Sequence, residues 1–185
     1  MYYSIKGTVT HTFKDSIVLE VGNISYLIFV SNAFNYIIGE EYLLYIYLHK
    51  REDDEYLVGF LSLDEKKVFR MLISVTGIGP KTALMILSGC SPDELLESIR
   101  VGDITCLQKI KGVTNKLAYQ IILELRGKIE IEKSKEESNK HAKLKLALKG
   151  LGFKNKEIES ALSKLDLLKL SDEDAMKEAL RSLKK

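Results

Sequence analysis

The sequence predicts an α+β protein of several domains, with an N-terminal OB-type five-stranded β-barrel, a central tandem helix-hairpin-helix domain and a C-terminal three-helix domain on a linker. Twelve of the fifteen aromatic residues fall in residues 1–64, among dense β-branched runs. From residue 62 the apolar residues follow a helical period. Residues 75–87 recur 35 positions later as residues 110–122. The predicted domains are therefore 1–62, 63–130 and 142–185, with residues 131–141 as the linker.

The barrel is predicted from short strands separated by turn signals. Gly22-Asn23 is a two-residue hairpin signal. Five short antiparallel strands hide their edges best by closing into a barrel. Such barrels often bind single-stranded nucleic acid through aromatics in a basic groove, but residues 1–64 hold 4 basic and 9 acidic residues, which favours core and interface roles for the aromatics. The predicted strands are Tyr3–Val9, Ser16–Val21, Ile24–Val30, Tyr42–Leu48 and Glu55–Leu61.

The central helices have clear start signals. Ser62 and Glu65 have the spacing of a capping box, as have Ser91 and Glu94. Pro80 suits the first position of the second helix, because an N–H at that position would have no intrahelical acceptor and proline lacks one. The helix after Ser91 is predicted to end near Gly102, a short helix starts at Asp103, and a longer one runs from Asn115 to Arg126.

The repeat predicts two phosphate-binding loops. Each copy places an apolar residue and a glycine-containing turn directly before a helix, where unpaired amides and the positive end of the helix dipole coincide. Such a turn holds a phosphate, and a lysine four positions after the first glycine adds a positive charge. Residues 65–130 are also basic, with 10 Lys and Arg against 7 Asp and Glu. The predicted phosphate-binding residues are Gly77, Ile78, Gly79, Lys81 and Thr82, then Gly112, Val113, Thr114 and Lys116.

A purely steric origin for these glycines is the alternative. Glycine is common in short helix–helix turns, but packing alone does not require a lysine at the same offset twice. The second copy departs from the first, because Thr114-Asn115 stands where the first has Gly79-Pro80. A β-branched residue restricts close approach, so more weight falls on the first loop.

Residues 52–55 are four consecutive acids at the tip of the predicted hairpin between the last two strands. One interpretation is a solvated turn. In a DNA-binding protein, however, adjacent carboxylates repel any approaching phosphate strand, which would make the tip a strand separator.

Other features limit the function classes. The two cysteines and three histidines lack metal-ligand spacing, so neither a metal site nor a cofactor is predicted. No apolar run approaches the roughly 20 residues that span a bilayer, and no signal-peptide pattern opens the chain. We expect a soluble, cytoplasmic protein that is not membrane-bound.

The C-terminal region follows a charged segment without apolar periodicity, which is predicted as a linker. Because the segment also lacks Pro and Gly, a partly helical linker stays open. Helical segments are predicted at about Ala142–Lys149, Asn155–Leu165 and Asp172–Leu183, with Ser171 capping the last. The turn at residues 150–153 resembles the loop of ubiquitin-associated (UBA) domains. A module this small on a tether suits docking better than catalysis, and the predicted partner-docking residues are Leu151, Phe153, Ile158 and Leu162.

The order of these domains resembles the RuvA family, the bacterial subunits that recognise Holliday junctions. The resemblance covers the whole chain. Its most specific parts are residues 75–84 (VTGIGPKTAL) with the following Ile86–Gly89, and the Arg51-Glu-Asp segment before Tyr56–Phe60.

The resemblance implies a homotetramer, or a pair of tetramers, that holds four-way junction DNA on a flat face. It implies that both hairpins contact the DNA backbone and that Glu52 and Asp53 belong to an acidic pin at the centre, with Asp54 as a further carboxylate. It also implies docking of the hexameric ATPase RuvB on the C-terminal domain, and RuvC resolvase as another partner. In this view the chain is not itself an enzyme but a subunit acting in branch migration, recombination and repair.

Two rival functions remain open from the sequence. A repair nuclease or glycosylase also uses helix-hairpin-helix motifs, but no catalytic constellation is evident, and four adjacent acids in a turn lack the convergence of two-metal sites. A generic single-strand-binding barrel is disfavoured by the acidic balance of residues 1–64.

Overall fold

A computed structural model describes residues 2–52, 54–163, 165, 167 and 170–183, without the side chains of residues 130–137. The chain divides into two compact units, Met1–Arg126 and Gly127–Lys185. The predicted barrel and hairpin domains therefore share one unit. None of the helices in these described ranges is long and apolar enough to cross a lipid bilayer.

The N-terminal part is a closed five-stranded barrel in the order β1-β2-β3-β5-β4, in which β3 and β5 run parallel and the other neighbours antiparallel. Burial alternates along β1, and Val9, Ile17 and Leu44 are fully buried in the barrel. This confirms the predicted OB-type architecture. The strands are β1 Ser4–Thr12, β2 Ser16–Val21, β3 Ile24–Phe29, β4 Glu41–Lys50 and β5 Glu55–Phe60, with a short 3-10 helix at Ala33–Asn35.

Five helices begin in the first unit: α1 Leu63–Ile73, α2 Pro80–Gly89, α3 Pro92–Val101, α4 Thr105–Gln108 and α5 Asn115–Gly150. The start signals act largely as predicted, since Ser91 and Glu94 form a complete capping box. At α1 only half of the box forms. The Ser62 hydroxyl accepts from the Glu65 amide, but the Glu65 carboxylate accepts from the Leu61 amide and the Ser31 hydroxyl.

The first helix joins the helical part to the barrel. The Phe69 ring lies 4.8 Å from the Phe60 ring and 5.1 Å from the Tyr47 ring, centroid to centroid. Phe60 and Phe69 are fully buried. Burial of the two rings contributes on the order of 2 kcal/mol each. This packing holds α1 in a fixed position on the barrel.

The prediction that the second hairpin helix ends at Arg126 is wrong, because α5 continues to Gly150. Residues 131–141, predicted as a charged linker, lie within this helix. Their Glu and Lys residues are good helix formers, and no Pro or Gly interrupts them. The prediction of the domain boundaries themselves stays a prediction.

In the second unit, the end of α5 packs with α6 Asn155–Leu162 and α7 Asp172–Leu183. The Ser171 hydroxyl caps α7 by accepting from the Asp174 amide at 3.0 Å. The side chain of Lys140 is paired with Asp172 at 3.3 Å and also donates to the Leu170 carbonyl. The buried core of this unit is made of Leu144, Leu148, Ile158, Leu162, Leu167, Ala175 and Ala179.

Candidate nucleic-acid interface

The two copies of the repeat fold into the same turn. In each, a glycine adopts a positive φ, 86° at Gly77 and 93° at Gly112, a region that side chains rarely enter. The next residue, Ile78 or Val113, is buried and anchors the turn, and its amide donates to the carbonyl three residues earlier at 3.1 Å. Ile78 and Val113 were predicted among the phosphate-binding residues, but their side chains are buried and their amides are already bonded within the turn, so they support the loop rather than face a ligand.

The first loop presents its amides through a helix start without a side-chain cap. Gly79 is the N-cap of α2, and Pro80 at the first helical position has no N–H. The first intrahelical bond runs from Ala83 to the Gly79 carbonyl at 2.9 Å. The amides of Lys81 and Thr82 therefore have no acceptor within the helix. A Cβ built on Gly77 or Gly79 meets nothing within 4 Å, so the loop is open to close approach.

The second loop uses a different cap. The Thr114 hydroxyl accepts from the Leu117 amide at 3.2 Å, and the first intrahelical bond runs from Ala118 to the Thr114 carbonyl at 2.9 Å. This leaves the amides of Asn115 and Lys116 without an acceptor in the helix. Both loops thus offer two first-turn amides, displaced by one residue relative to the repeat.

The lysines of the two copies are both exposed, but their surroundings differ. The Nζ of Lys81 lies 5.8 Å from the centroid of the Phe29 ring. The side chain of Asn115, next to Lys116, accepts from Gln108 at 2.9 Å. Each lysine lies within the first turn of its helix, where its charge adds to the positive dipole end.

The two hairpins hold each other in place reciprocally. Met85 of α2 lies against Gly112 of the second loop, with its Sδ 3.2 Å from a Cβ built there. Gln120 of α5, at the equivalent position 35 residues later, donates to the Thr76 carbonyl of the first loop at 3.0 Å. The Glu124 carboxylate accepts from the Thr76 amide at 3.2 Å. Sequence reasoning missed Gln120 and Glu124, because only the tertiary packing brings them to the first loop.

The acidic residues lie at the hairpin between β4 and β5. Glu55 belongs to β5 and is paired with Lys50 at 3.6 Å. In the loop, the Arg51 amide donates to the Asp54 carbonyl at 2.8 Å, and Glu52 and Asp54 are exposed. Asp53, predicted with Glu52 as an acidic pin, lies outside the described residues. Two carboxylates of the described tip are thus free to face solvent.

The predicted docking residues separate into two groups. Leu151 is 61% exposed, and Phe153 is partly buried against the core of the second unit. Ile158 and Leu162 are buried in that core, 0% and 2% exposed. An enclosed side chain cannot touch a partner, so these two serve to shape the surface rather than to form it.

Family comparisons match this arrangement along the chain. Residues 1–59 match the family model described as "RuvA N terminal domain", residues 69–128 match "SAM-like Helix-hairpin-helix tandem", and residues 145–184 match "RuvA, C-terminal domain". A protein of Fusobacterium nucleatum subsp. nucleatum named "Holliday junction branch migration complex subunit RuvA" is 36% identical, covering 100% of this chain and 98% of its own. The chain belongs to the RuvA family.

Other RuvA relatives bearing the same name give the same picture. The protein of Finegoldia magna is 38% identical over 99% of this chain and 98% of its own length. That of Lysinibacillus sphaericus is 39% identical over 100% of this chain and 99% of its own. The predicted resemblance to the RuvA family is confirmed, as is the order of barrel, tandem hairpins and helical C-terminal region.

Proposed function

We propose that this protein binds Holliday junction DNA irrespective of its sequence and acts as the DNA-binding subunit in branch migration, during recombination and repair. The observation that carries this is the pair of matched loops at residues 77–82 and 112–116, each with a glycine at positive φ, two unpaired amides and an exposed lysine. The full-length relatives, named as subunits of a Holliday junction branch migration complex, support the same function.

Backbone amides and lysines suit a protein along which DNA must slide. They recognise phosphates, which are the same at every step of a duplex, and leave the base edges unread. Binding by such contacts weakens steeply as the salt concentration rises, because each lysine that neutralises a phosphate releases counterions condensed on the DNA. The proposed contacts are Gly77, Gly79, Lys81 and Thr82 in the first loop, and Gly112, Thr114, Asn115 and Lys116 in the second.

The acidic tip supplies structure preference. Glu52, with Asp53 and Asp54, would repel a continuous duplex laid across it and admit the open centre of a four-way junction. Discrimination through repulsion needs no gain in affinity for the preferred shape. In this proposal, attraction at the hairpins sets affinity and repulsion at the tip sets selectivity.

A homotetramer, alone or paired face to face, would present eight or sixteen such loops to the four arms, on the order of two per arm per tetramer.

The C-terminal unit would dock a hexameric RuvB-type ATPase, with the exposed Leu151 and the partly buried Phe153 at the contact. ATP hydrolysis would belong to that partner, and a RuvC-type resolvase would share the junction. In this proposal the protein acts in the bacterial cytoplasm.

The proposal is tested by the charge of the tip. In Glu52→Gln with Asp53→Asn, we expect junction affinity to stay the same or rise, while the ratio of junction to linear duplex affinity falls about three- to ten-fold, because repulsion of the duplex is lost. Titration of labelled junction and duplex at fixed salt measures both. Glu41→Gln, on the same barrel but paired with Lys6 at 2.6 Å, is the matched control. Loss of junction binding in the tip variant would overturn the repulsion mechanism, and cutting of DNA with Mg²⁺ would favour the nuclease alternative.

Docking is tested on the second unit. Leu151→Ser should leave junction affinity unchanged and lower the stimulation of the ATPase partner by about ten-fold, as expected for an apolar contact residue. Leu146→Ser is the matched control, since Leu146 is an exposed leucine of the same unit, 74% accessible. Equal losses in both variants would argue against a defined docking site at Leu151.

A further inference from the structure

The lysine of the first loop is in contact with the barrel. Lys81 is the second residue of α2, and Phe29 is the last residue of β3, 52 positions earlier. The 5.8 Å between Nζ and the ring centroid is within the range at which a cation is attracted to an aromatic face. In the described part of the chain no aromatic ring takes the corresponding place beside Lys116.

The Phe29 ring is itself fixed by two others. It meets the Tyr56 ring edge to face, at 5.2 Å between centroids and 66° between planes. Tyr56 in turn lies against its cross-strand partner His49, at 4.7 Å and 41°. We call His49, Tyr56 and Phe29 the aromatic row. It runs from the base of the acidic hairpin to the first phosphate-binding loop.

The aromatic row has the properties of a rigid support. His49 is only 9% exposed, although it is next to the acidic loop. Burial, with the negative charge of Asp54 in addition, raises the pKa of Tyr56 above its ordinary value. Edge-to-face pairs also restrict ring orientation. The Phe29 face is therefore held in one place beside Lys81.

From this geometry we infer that Phe29 is a positioning residue for Lys81, and that its ring holds the ammonium group at the first loop before DNA arrives. A free lysine side chain loses rotamer freedom when it binds a phosphate, and one that is already confined loses less. The ring supplies no strong acceptor, so it confines Nζ without neutralising its charge. This inference rests on the proposed function, in which Lys81 binds a DNA phosphate.

The test uses the full-length protein and four variants: Phe29→Leu, Phe29→Tyr, Lys81→Ala and the Phe29→Leu/Lys81→Ala double. Junction and linear duplex affinities are measured across a salt series. Phe29→Leu should weaken binding to both DNAs about two- to five-fold, the range of an exposed cation–π contact. Phe29→Tyr keeps an aromatic ring at this position and should bind both DNAs as tightly as the wild type. The salt slope should fall by about one in Lys81→Ala but stay unchanged in Phe29→Leu, which keeps the lysine.

The double variant separates positioning from a structural role. If Phe29 acts through Lys81, the double variant binds no more weakly than Lys81→Ala alone. The matched control is Tyr3→Leu, which removes a similar contact elsewhere on the barrel, where Lys66 Nζ lies 5.0 Å from the Tyr3 centroid. Its DNA affinity should equal that of the wild type. In the free protein, the Lys81 ε-methylene protons should show an upfield ring-current shift that Phe29→Leu abolishes.

Each contrary result has a distinct meaning. If Phe29→Leu binds as tightly as the wild type or more tightly, or if the two losses multiply in the double variant, the inference is overturned while the proposed function stands. An absent ring-current shift also overturns it. If Lys81→Ala has no effect on affinity, the proposed phosphate contact fails, and the positioning role fails with it.

Discussion

The first and second hairpins reach the same end by different chemistry. In the first, Gly79 leaves the helix uncapped and Pro80 removes an amide, so Lys81 and Thr82 present their N–H groups. In the second, the Thr114 hydroxyl accepts a hydrogen bond from the Leu117 amide, so the amides of the first two helical residues stay unpaired. A duplicated motif can therefore change its cap residues and still offer two amides, because what matters is how many first-turn donors are left unpaired.

The largest difference should appear when the two lysines are compared. We expect Lys81→Ala to weaken junction and duplex binding about ten-fold and Lys116→Ala about three-fold. A charged hydrogen bond to phosphate contributes roughly 1.5–3 kcal/mol, and the open loop around Gly79 allows the closer approach. Fluorescence anisotropy with labelled DNA measures both. Equal losses would show that the altered second copy binds as well as the first.

Alanine substitution of the two glycines at positive φ should lower the stability of the protein to different extents in the two copies. Alanine at either position is strained by about 1–2 kcal/mol. At Gly77 the new Cβ meets nothing, whereas at Gly112 it meets Met85 Sδ at 3.2 Å and Cε at 3.1 Å. Gly112→Ala should therefore lower the free energy of unfolding somewhat more than Gly77→Ala, by about a further 0.5 kcal/mol. Urea denaturation measures this, and a larger loss at Gly77 would contradict the packing described.

The smallest effects should come from exchanging the caps. Gly79→Ser fits the extended backbone there and gains a few tenths of a kcal/mol of stability. It should nevertheless weaken DNA binding about two-fold, because the serine hydroxyl would accept a hydrogen bond from the Thr82 amide and leave one donor fewer for a phosphate. Thr114→Gly should lose a similar stability while freeing the Leu117 amide, so its DNA affinity stays level or rises. If both exchanges move affinity in the same direction, unpaired amides do not set it.

The sequence predicted most of the first unit because its signals are local. Gly22-Asn23, the Ser91 capping box and Pro80 each fix a boundary by backbone chemistry, and the strands begin and end within three residues of their predicted bounds. The long helix was not predicted as one element, because its charged middle lacks apolar periodicity and indicated a linker, although the lack of Pro and Gly left partial helix open. Glu and Lys favour helix even where no apolar stripe forms.

Sequence reasoning found the two repeated loops but not the residues that support them. Gly77, Lys81 and their counterparts follow from a repeat at constant offset. Gln120 and Phe29 do not, because their contacts join residues 44 and 52 positions apart and depend on how helices pack on each other and on the barrel. Ile158 and Leu162, which were predicted as docking residues, pack into the core of the second unit.

The closed barrel restricts how copies of this chain can associate. β1 is paired to β4, and β3 is paired to β5 at Ile28 and Phe29, so among the described strands residues 24–27 of β3 form a short stretch without a β5 partner, which disfavours the addition of a strand by a neighbour. Any assembly through this part of the molecule has to rely on complementary side-chain surfaces. Such an interface can be dismantled by single substitutions on the outside of the barrel, without unravelling the strands beneath.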